Sequence, residues 1–145
     1  MKSRAEVLLV DDSPADTDLT RDVLSKSRAQ FHVNAVEDGE QAMFFLRREG
    51  RYAEAPSPDL IVLDLNLPRK DGRAVLKEVK SDPDLASIPV VVFTTSQAGS
   101  DINRSYGLGA NCYLRKPGNL SEYTSVVQSM ADFWLSFASL PHKEK

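Results

Sequence analysis

The sequence predicts a doubly wound α/β domain, in which a five-stranded parallel sheet carries helices on both faces. Five short apolar runs alternate with longer amphipathic stretches, and near-continuous apolar runs are typical of parallel strands because both of their faces are buried. Helical connections between parallel strands are right-handed almost without exception. The length of 145 residues, 41% of them hydrophobic, suits one domain that needs no disulfide or metal to fold.

The first strand is predicted at residues 6–10, an apolar run that stops at two aspartates. Ser13 follows as a preferred N-cap residue, and Pro14 suits the first helical position because its missing N–H has no helical partner there. The first helix is therefore predicted to begin at Pro14 and to end at about residue 27.

A second strand is predicted at 31–36, interrupted by the polar Asn34, and a second helix at 39–48, which has apolar residues on one face. The stretch 49–58 contains one glycine and two prolines and predicts a loop longer than most connections in compact folds. The third strand, 60–64, is apolar until its last residue.

The second half of the chain continues the alternation. A helix is predicted at 73–81, a strand at 89–95, and a weaker helix at 98–108, where two glycines and few large apolar residues reduce the signal. The fifth strand is predicted at 110–114. The last helix, 121–138, repeats large side chains at the i, i+3, i+4 and i+7 spacing of a buried helical face.

Composition excludes several classes of function. The net charge of −3 is spread over intermixed acidic and basic residues, which gives no reason to expect nucleic acid binding. The apolar run near the N-terminus is too short for a signal peptide or a membrane span. The single cysteine, Cys112, excludes an internal disulfide and favours a cytoplasmic location.

Polar residues occupy the carboxyl ends of the predicted strands, where doubly wound sheets bind their ligands. Asp11 and Asp12 follow the first strand, Asp64 ends the third, Thr94 lies at the end of the fourth and Lys116 follows the fifth. One alternative is that these aspartates only form turns and helix caps. Three carboxylates within about 5 Å, however, repel by roughly 3 kcal/mol per pair at an effective dielectric near 20. Such a cluster requires either a bound cation or a raised pKa of a carboxyl group, and both are typical of functional sites. Oxygen ligands suit Mg²⁺.

A carboxylate beside Mg²⁺, with a lysine and a hydroxyl opposite, can accept a phosphoryl group. The ionised carboxylate acts as nucleophile and forms an acyl phosphate without needing a base. The metal and Lys116 would neutralise the phosphoryl oxygens, and Thr94 would donate a hydrogen bond.

Five segments, in this order, resemble the receiver domains of two-component response regulators: V-D-D-S at 10–13, D-L-N-L-P at 64–68, D-G at 71–72, F-T-T-S at 93–96 and R-K-P at 115–117. Thr94 follows Asp64 by 30 residues and Lys116 follows it by 52, separations that fit this family. The resemblance covers about residues 5–138. It implies a (βα)5 flavodoxin-like fold with strand order 2-1-3-4-5, and a single receiver domain over 1–145 with a short tail at 139–145.

The resemblance assigns roles to the polar residues at the strand ends. Asp64 would be the phosphorylated aspartate. Asp12 and Asp64 would bind Mg²⁺ together with the backbone carbonyl of Asn66, and Asp11 would act mostly through a bound water. Lys116 would pair with a phosphoryl oxygen.

Further residues are implied to switch the domain or to tune it. Thr94 would move toward the phosphoryl group while the aromatic Tyr113 turns inward, although Tyr113 could also be an ordinary half-exposed residue of an edge strand. Asn66 and Ser96 occupy the positions that tune hydrolysis of the acyl phosphate, and the bulk of Thr95 is expected to narrow access to it.

The resemblance also implies a cis peptide bond between Lys116 and Pro117. Only about 5% of X–Pro bonds in folded proteins are cis. A cis bond here would be a feature of this position that aims the lysine at the site.

Four segments are similar to one branch of the family, the stand-alone regulators paired with bacterial phytochrome histidine kinases. They are N-L-P-R-K-D-G-R at 66–73, V-V-V-F-T-T-S at 90–96, S-Y-G-L-G-A-N-C-Y at 105–113 and F-W-L at 133–135. This likeness implies a sensor histidine kinase as partner. It also implies a homodimer through the fourth helix, fifth strand and fifth helix, with Tyr113 near the interface.

The last helix ends in aromatic residues, and Phe133, Trp134 and Phe137 are predicted to form a partner surface. The alternative is a wide core stripe. The predicted function is that of a phosphoacceptor signalling protein without enzymatic turnover, which acts through phosphorylation-dependent protein contacts and not through a membrane.

Two other functions were weighed against this one. Haloacid-dehalogenase-type phosphatases also use an aspartate nucleophile with Mg²⁺. They need a second aspartate two residues later, where this chain has Asn66, and usually a cap domain. A flavodoxin-like FMN carrier would need a phosphate loop rich in Ser, Thr and Gly after the first strand, where this chain has Asp-Asp-Ser-Pro at 11–14.

Overall fold

The computed structural model describes residues 4–27 and 31–141. Five parallel strands form one sheet in the order β2-β1-β3-β4-β5, which confirms the predicted fold class and strand order. The strands are β1 (Ala5–Val10), β2 (Phe31–Val36), β3 (Leu60–Leu63), β4 (Val90–Thr94) and β5 (Cys112–Arg115). Each lies within two residues of its predicted bounds.

Five α-helices connect and follow the strands: α1 (Pro14–Ser25), α2 (Gly39–Arg47), α3 (Gly72–Ser81), α4 (Gly99–Gly107) and α5 (Leu120–Ala131). The predicted loop at 49–58 contains one turn of 3-10 helix, Gly50–Tyr52. The last predicted helix continues beyond α5 with π-helical geometry over Asp132–Phe137. Four of the five α-helices begin with a side-chain cap, in which Ser13, Asp38, Asp71 or Asn119 accepts a hydrogen bond from a first-turn N–H.

The core has two layers, one on each face of the sheet. Successive side chains of a strand point to opposite faces. Leu8 and Ile61 accordingly pack with α2 and α3, whereas Val7 and Val62 pack with α1 and α5. All the side chains of β3 and β4 are buried, which explains why these strands are continuous apolar runs in the sequence.

The edge formed by β5 and α4 is thinly packed. Only Ser105 is buried among the residues of α4, and no residue of β5 is fully buried. The half-exposed Tyr106 reaches across this edge, where its hydroxyl accepts a hydrogen bond from the backbone N–H of Tyr113 at 3.0 Å. This side of the domain presents side chains of α4 and β5 to the solvent.

The aromatic residues beyond α5 do not form one uniform surface. Phe133 and Phe137 are 55% and 80% exposed. Trp134, predicted to share this surface, is half-buried and packs with Leu135 against the core layer of α1 and α5. The structure therefore combines the two alternatives, with Trp134 extending the core and the two phenylalanines facing outward. Of the predicted tail, residues 142–145 lie outside the described residues.

The start of α3 packs directly on the backbone that follows β3. The N–H of Gly72 donates to the carbonyl of Leu65 at 2.9 Å. A Cβ atom at Gly72 would lie 2.2 Å from the carbonyl oxygen of Asp64 and 2.6 Å from the Cα of Leu65. Glycine at this position thus permits α3 to approach the end of β3.

Across the part of the chain that the structure describes, no helix is long and apolar enough to cross a membrane.

Candidate functional site

The carboxyl ends of β1, β3, β4 and β5 converge, as the sequence predicts. Val10 is paired with Leu63, Leu63 with Val92 and Val92 with Tyr113, so β1 and β3 end level with each other, and β4 and β5 continue together to the pair Thr94 and Arg115. The residues that follow remain joined through their backbones, because the N–H of Asp64 donates to Val10 at 2.9 Å and the N–H of Lys116 donates to Thr94 at 2.6 Å. The predicted polar residues therefore project from one edge of the sheet.

Three carboxylates form an acidic cluster at this edge. Oxygen atoms of Asp11, Asp12 and Asp64 all lie within 4.8 Å of one another. Asp12 is exposed, Asp11 half-buried and Asp64 buried. An all-oxygen donor set, open to water on one side, fits a hard divalent cation such as the predicted Mg²⁺, which retains several of its waters when bound.

Lys116 faces this cluster from the loop after β5. Its Nζ donates to Asp11 Oδ2 at 2.6 Å, to Asp16 Oδ2 at 2.8 Å and to Asp64 Oδ2 at 3.0 Å. The side chain is only 3% exposed. Burial alone would lower the pKa of Lys116, but the hydrogen bonds to Asp11 and Asp16 and the charge of Asp64 hold this pKa above its ordinary value. Lys116 is therefore a permanent cation of the site at neutral pH.

Asp11 shows the opposite balance between burial and pairing. Burial raises the pKa of the Asp11 carboxyl above its ordinary value, although the hydrogen bond from Lys116 and that from the N–H of Ser13, at 2.9 Å, both act to lower it. Repulsion from the negative charge of Asp64 also raises this pKa. A bound cation would reduce the repulsion between these two carboxylates.

Asp16 is a member of the site that sequence reasoning missed. The sequence prediction rests on residues at strand ends, whereas Asp16 lies in the first turn of α1. A signal was present, because Ser13 and Pro14 fix where the helix begins and therefore place Asp16 in its first turn, close to the end of the first strand.

Both carboxylate oxygens of Asp64 are engaged. Oδ1 accepts from the Thr94 hydroxyl at 2.8 Å and from the N–H of Asn66 at 3.2 Å, while Oδ2 accepts from Lys116. Thr94 is fully buried. The carboxylate is thus oriented between a hydroxyl and an ammonium, which is an arrangement suited to a carboxylate nucleophile.

The predicted tuning and switch residues lie around this centre. Asn66 and Thr95 are exposed, whereas Ser96 is half-buried. Ser96 does not point at Asp64, since its hydroxyl donates to Asp101 Oδ2 at 2.6 Å. Tyr113 is half-buried against the core and donates its hydroxyl to the backbone carbonyl of Ser96 at 2.9 Å. The loop after β4 is therefore tied to both α4 and β5.

The peptide bond between Lys116 and Pro117 is not cis, and the sequence prediction is wrong on this point. The trans isomer of an X–Pro bond is favoured by about 0.5–1 kcal/mol. From the trans backbone the Nζ of Lys116 already reaches three carboxylates, so no cis bond is needed to aim the side chain.

Arg73, at the start of α3, connects the region around Asp64 to the loop after β4. Its guanidinium donates to Asp101 Oδ1 from Nε at 3.0 Å and from Nη2 at 2.8 Å, and its Nη1 donates to Asp71 at 3.0 Å. These bonds raise the pKa of Arg73, although burial opposes them, and the bonds from Ser96 and Arg73 lower the pKa of Asp101. The pair therefore stays ionised near neutral pH.

Arg73→Met is expected to loosen the loop after β4 and to lower the free energy of unfolding by about 1 kcal/mol, because Asp101 loses a charge-assisted partner. Amide hydrogen exchange should become faster at residues 97–101, whose first helical turn Asp101 anchors. Arg47→Met is the control, since Arg47 pairs with Glu78 at 3.2 Å on another face of α3. Equal exchange protection in Arg73→Met and wild type would contradict the expectation.

Residues 7–128 match the model of the response regulator receiver domain. The fold, the acidic cluster and this match agree, and the chain belongs to the response regulator receiver domain family. The chain is therefore a response regulator receiver, as the sequence predicts. The phosphatase alternative gains no support from the match.

The relatives include regulators of the predicted branch. The chain is 49% identical over 135 residues to "Response regulator Rcp1" of Synechocystis sp., with 93% of this chain and 92% of that protein covered. The solved Mn²⁺-bound form of Rcp1 superposes with a TM-score of 0.93 at 48% identity, covering 95% of this chain and 99% of that one. The solved structure of the phosphorylated cyanobacterial phytochrome response regulator RcpA superposes with a TM-score of 0.93 at 50% identity, covering 96% of this chain and 99% of that one. The predicted likeness to phytochrome regulators is confirmed at the level of these relatives.

Proposed function

We propose that Asp64 accepts a phosphoryl group from the phosphohistidine of a sensor histidine kinase, in a reaction that requires Mg²⁺. One observation carries this proposal: both oxygens of a buried carboxylate are oriented by Thr94 and Lys116 beside the acidic cluster. Asp11, Asp12, Asp64 and the backbone carbonyl of Asn66 would hold the cation. When bound, the cation would neutralise charge on the phosphoryl oxygens.

In the proposed step, an oxygen of Asp64 forms a bond to phosphorus while the bond between phosphorus and the donor imidazole breaks. The imidazole leaves with the bonding electron pair and becomes neutral once its nitrogen is protonated. The nucleophile is a carboxylate, so no base is required. Lys116 and Thr94, which donate to Asp64 in the resting state, are placed to donate to the new phosphoryl oxygens.

Movement of Thr94 would carry the following residues with it. Tyr113 is bonded to the carbonyl of Ser96, so a shift of this loop would change the position of the tyrosine. Asn66 and Thr95 are exposed and lie next to Leu65 and Thr94 in the chain, and we propose that these two residues and Ser96 set the lifetime of the acyl phosphate. The chain would then act as a switch that consumes its own phosphoryl group and turns over no other substrate.

We propose a phytochrome-type kinase as the partner, on the basis of the relatives and not of the geometry. We propose a cytoplasmic location, which the single cysteine of the chain supports. We propose that residues 1–145 form a single receiver domain, of which residues 7–128 match the family model. Nucleic acid is not proposed as a target, since the charge of the chain is −3.

We further propose a homodimer through α4, β5 and α5. The thin packing of α4 and the exposure of Phe133 and Phe137 support this surface, and Tyr113 at its border would link it to phosphorylation. Sedimentation velocity over a range of concentrations, with and without beryllofluoride, tests this arrangement. A strictly monomeric protein in both states would contradict it.

Phosphorylation of Asp64 is tested by incubating the protein with Mg²⁺ and acetyl phosphate, followed by intact mass measurement. Wild type should gain one phosphoryl group, and Asp64→Ala should gain none because it lacks the nucleophile. Asp84→Asn is the control, since it alters an exposed carboxylate outside the site and should be labelled normally. An unchanged mass of wild type, or equal labelling of Asp64→Ala, would overturn the proposal.

A further inference from the structure

The carboxylate of Asp16 binds Lys116 from outside the acidic cluster. It lies 2.8 Å from Nζ, closer than the 3.0 Å of Asp64. The acidic cluster that would hold a metal ion consists of Asp11, Asp12 and Asp64. Asp16 is not part of this cluster, so its carboxylate is placed to bind the lysine and not the metal ion.

The three partners use the full donor capacity of the lysine. An ammonium has three N–H donors, and Asp11, Asp16 and Asp64 each accept one. A phosphoryl group on Asp64 presents new oxygens to the same ammonium. Lys116 can therefore donate a full hydrogen bond to a phosphoryl oxygen only if one of its present bonds is released.

Asp16 is the partner that can be released at the lowest cost. Its side chain is 33% exposed, against 13% for Asp11 and 9% for Asp64. Water can solvate the carboxylate of Asp16 as soon as the lysine leaves it, whereas the other two would lose a charge-assisted bond in a buried position.

The backbone of Asp16 is held in place, so its carboxylate has a defined position. Its N–H donates to the Ser13 hydroxyl at 3.2 Å. Its carbonyl accepts from the hydroxyl of Tyr123 on α5 at 3.4 Å, and that hydroxyl is also paired with Thr20 at 3.0 Å. The contact between α1 and α5 thereby holds the backbone of Asp16 next to Lys116.

We propose that Asp16 is a positioning residue that holds Lys116 in its resting orientation and competes with the phosphoryl group for the ammonium. This inference rests on the proposed phosphorylation of Asp64. Removing the charge of Asp16 should release Lys116 toward the phosphoryl position and make occupation of that position more favourable.

The experiment measures the affinity for beryllofluoride, a phosphoryl mimic, at saturating Mg²⁺, together with the initial rate of labelling by acetyl phosphate. In Asp16→Asn both should rise about fivefold, the ratio that corresponds to about 1 kcal/mol. Asp16→Glu keeps the charge and should stay closer to wild type. Asp22→Asn, an exposed carboxylate on the same helix, should change neither quantity.

Repeating the Asp16→Asn comparison in a Lys116→Met background separates positioning from a general charge effect. Loss of an acidic group near the site reduces repulsion of the anionic beryllofluoride in either background, whereas an effect that acts through Lys116 disappears when the lysine is absent. A rise of equal size in both backgrounds would overturn the inference. Wild-type values in Asp16→Asn would overturn this inference while leaving phosphorylation of Asp64 intact. Absence of labelling in wild type would overturn both.

Discussion

Lys116→Met is expected to lower the free energy of unfolding by about 3 kcal/mol in the presence of a metal chelator, because removal of one partner leaves buried charges uncompensated. The substitution removes the ammonium group that binds Asp11, Asp16 and Asp64. The carboxylate of Asp12 lies in the same acidic cluster and adds to the negative charge there. Saturating Mg²⁺ should recover part of this loss by supplying positive charge to the cluster. Urea denaturation with chelator and with Mg²⁺ measures both effects.

The same substitution should slow labelling by acetyl phosphate about 100-fold, the usual size of the effect when one donor to the developing charge is removed. Lys77→Met is the control, since it removes an exposed lysine of α3 and should change neither stability nor labelling. If Lys116→Met is as stable as wild type in the presence of chelator, the lysine does not stabilise the fold by compensating the negative charge of the carboxylates.

The difference in stability between wild type and Lys116→Met should depend on pH with a defined sign. The pKa of Lys116 is raised in the folded protein, so folding favours its protonated form. The stabilisation is fully present below the ordinary pKa of a lysine and is lost as the pH rises through the higher pKa of the folded state. As the pH rises from neutral, the stability gap between wild type and Lys116→Met should therefore persist until strong alkali closes it.

Gly72→Ala is expected to lower the free energy of unfolding by about 2–3 kcal/mol, within the range for overpacked positions. The added methyl would meet the backbone of Asp64 at 2.2 Å and of Leu65 at 2.6 Å, and no side-chain rotation can relieve a clash between backbone and Cβ. Since the displaced atoms belong to Asp64, both the labelling rate and the affinity for Mg²⁺ should fall as well. Thermal unfolding should shift by roughly 5–10 °C.

Gly99→Ala provides the matched control. Gly99 begins α4, and a Cβ there would meet nothing within 4 Å. Alanine favours a helix over glycine by up to about 1 kcal/mol, so this variant should be as stable as wild type or slightly more so. Equal behaviour of the two alanine variants would contradict the close approach of α3 to β3.

The order of the elements and the core of the site follow directly from the sequence. Buried parallel strands such as β3 and β4 must be apolar along their whole length, so a polar residue marks where each strand ends. Asp64 and Lys116 are found by this criterion. The parallel arrangement alone then requires such residues to meet at one edge of the sheet, without any knowledge of side-chain packing.

Features that depend on how helices are rotated against the sheet could not be predicted in this way. Asp16 and Arg73 both lie in first helical turns, and their partners are 100 and 28 residues away in the chain. Whether such a side chain turns toward the site depends on packing of the whole helix. The division between the half-buried Trp134 and the exposed Phe137 likewise follows from the π-helical geometry beyond α5, which helical periodicity does not encode.

The bond between Tyr106 and the backbone of Tyr113 has a consequence for how copies of this chain can associate. An open edge strand offers unpaired N–H groups on which another chain can build a continuous sheet, and this is a common route to aggregation. Here β5 is only four residues long and the N–H of Tyr113 is already occupied. Self-association on this side should therefore proceed by packing of side chains that can separate again, and not by extension of the sheet.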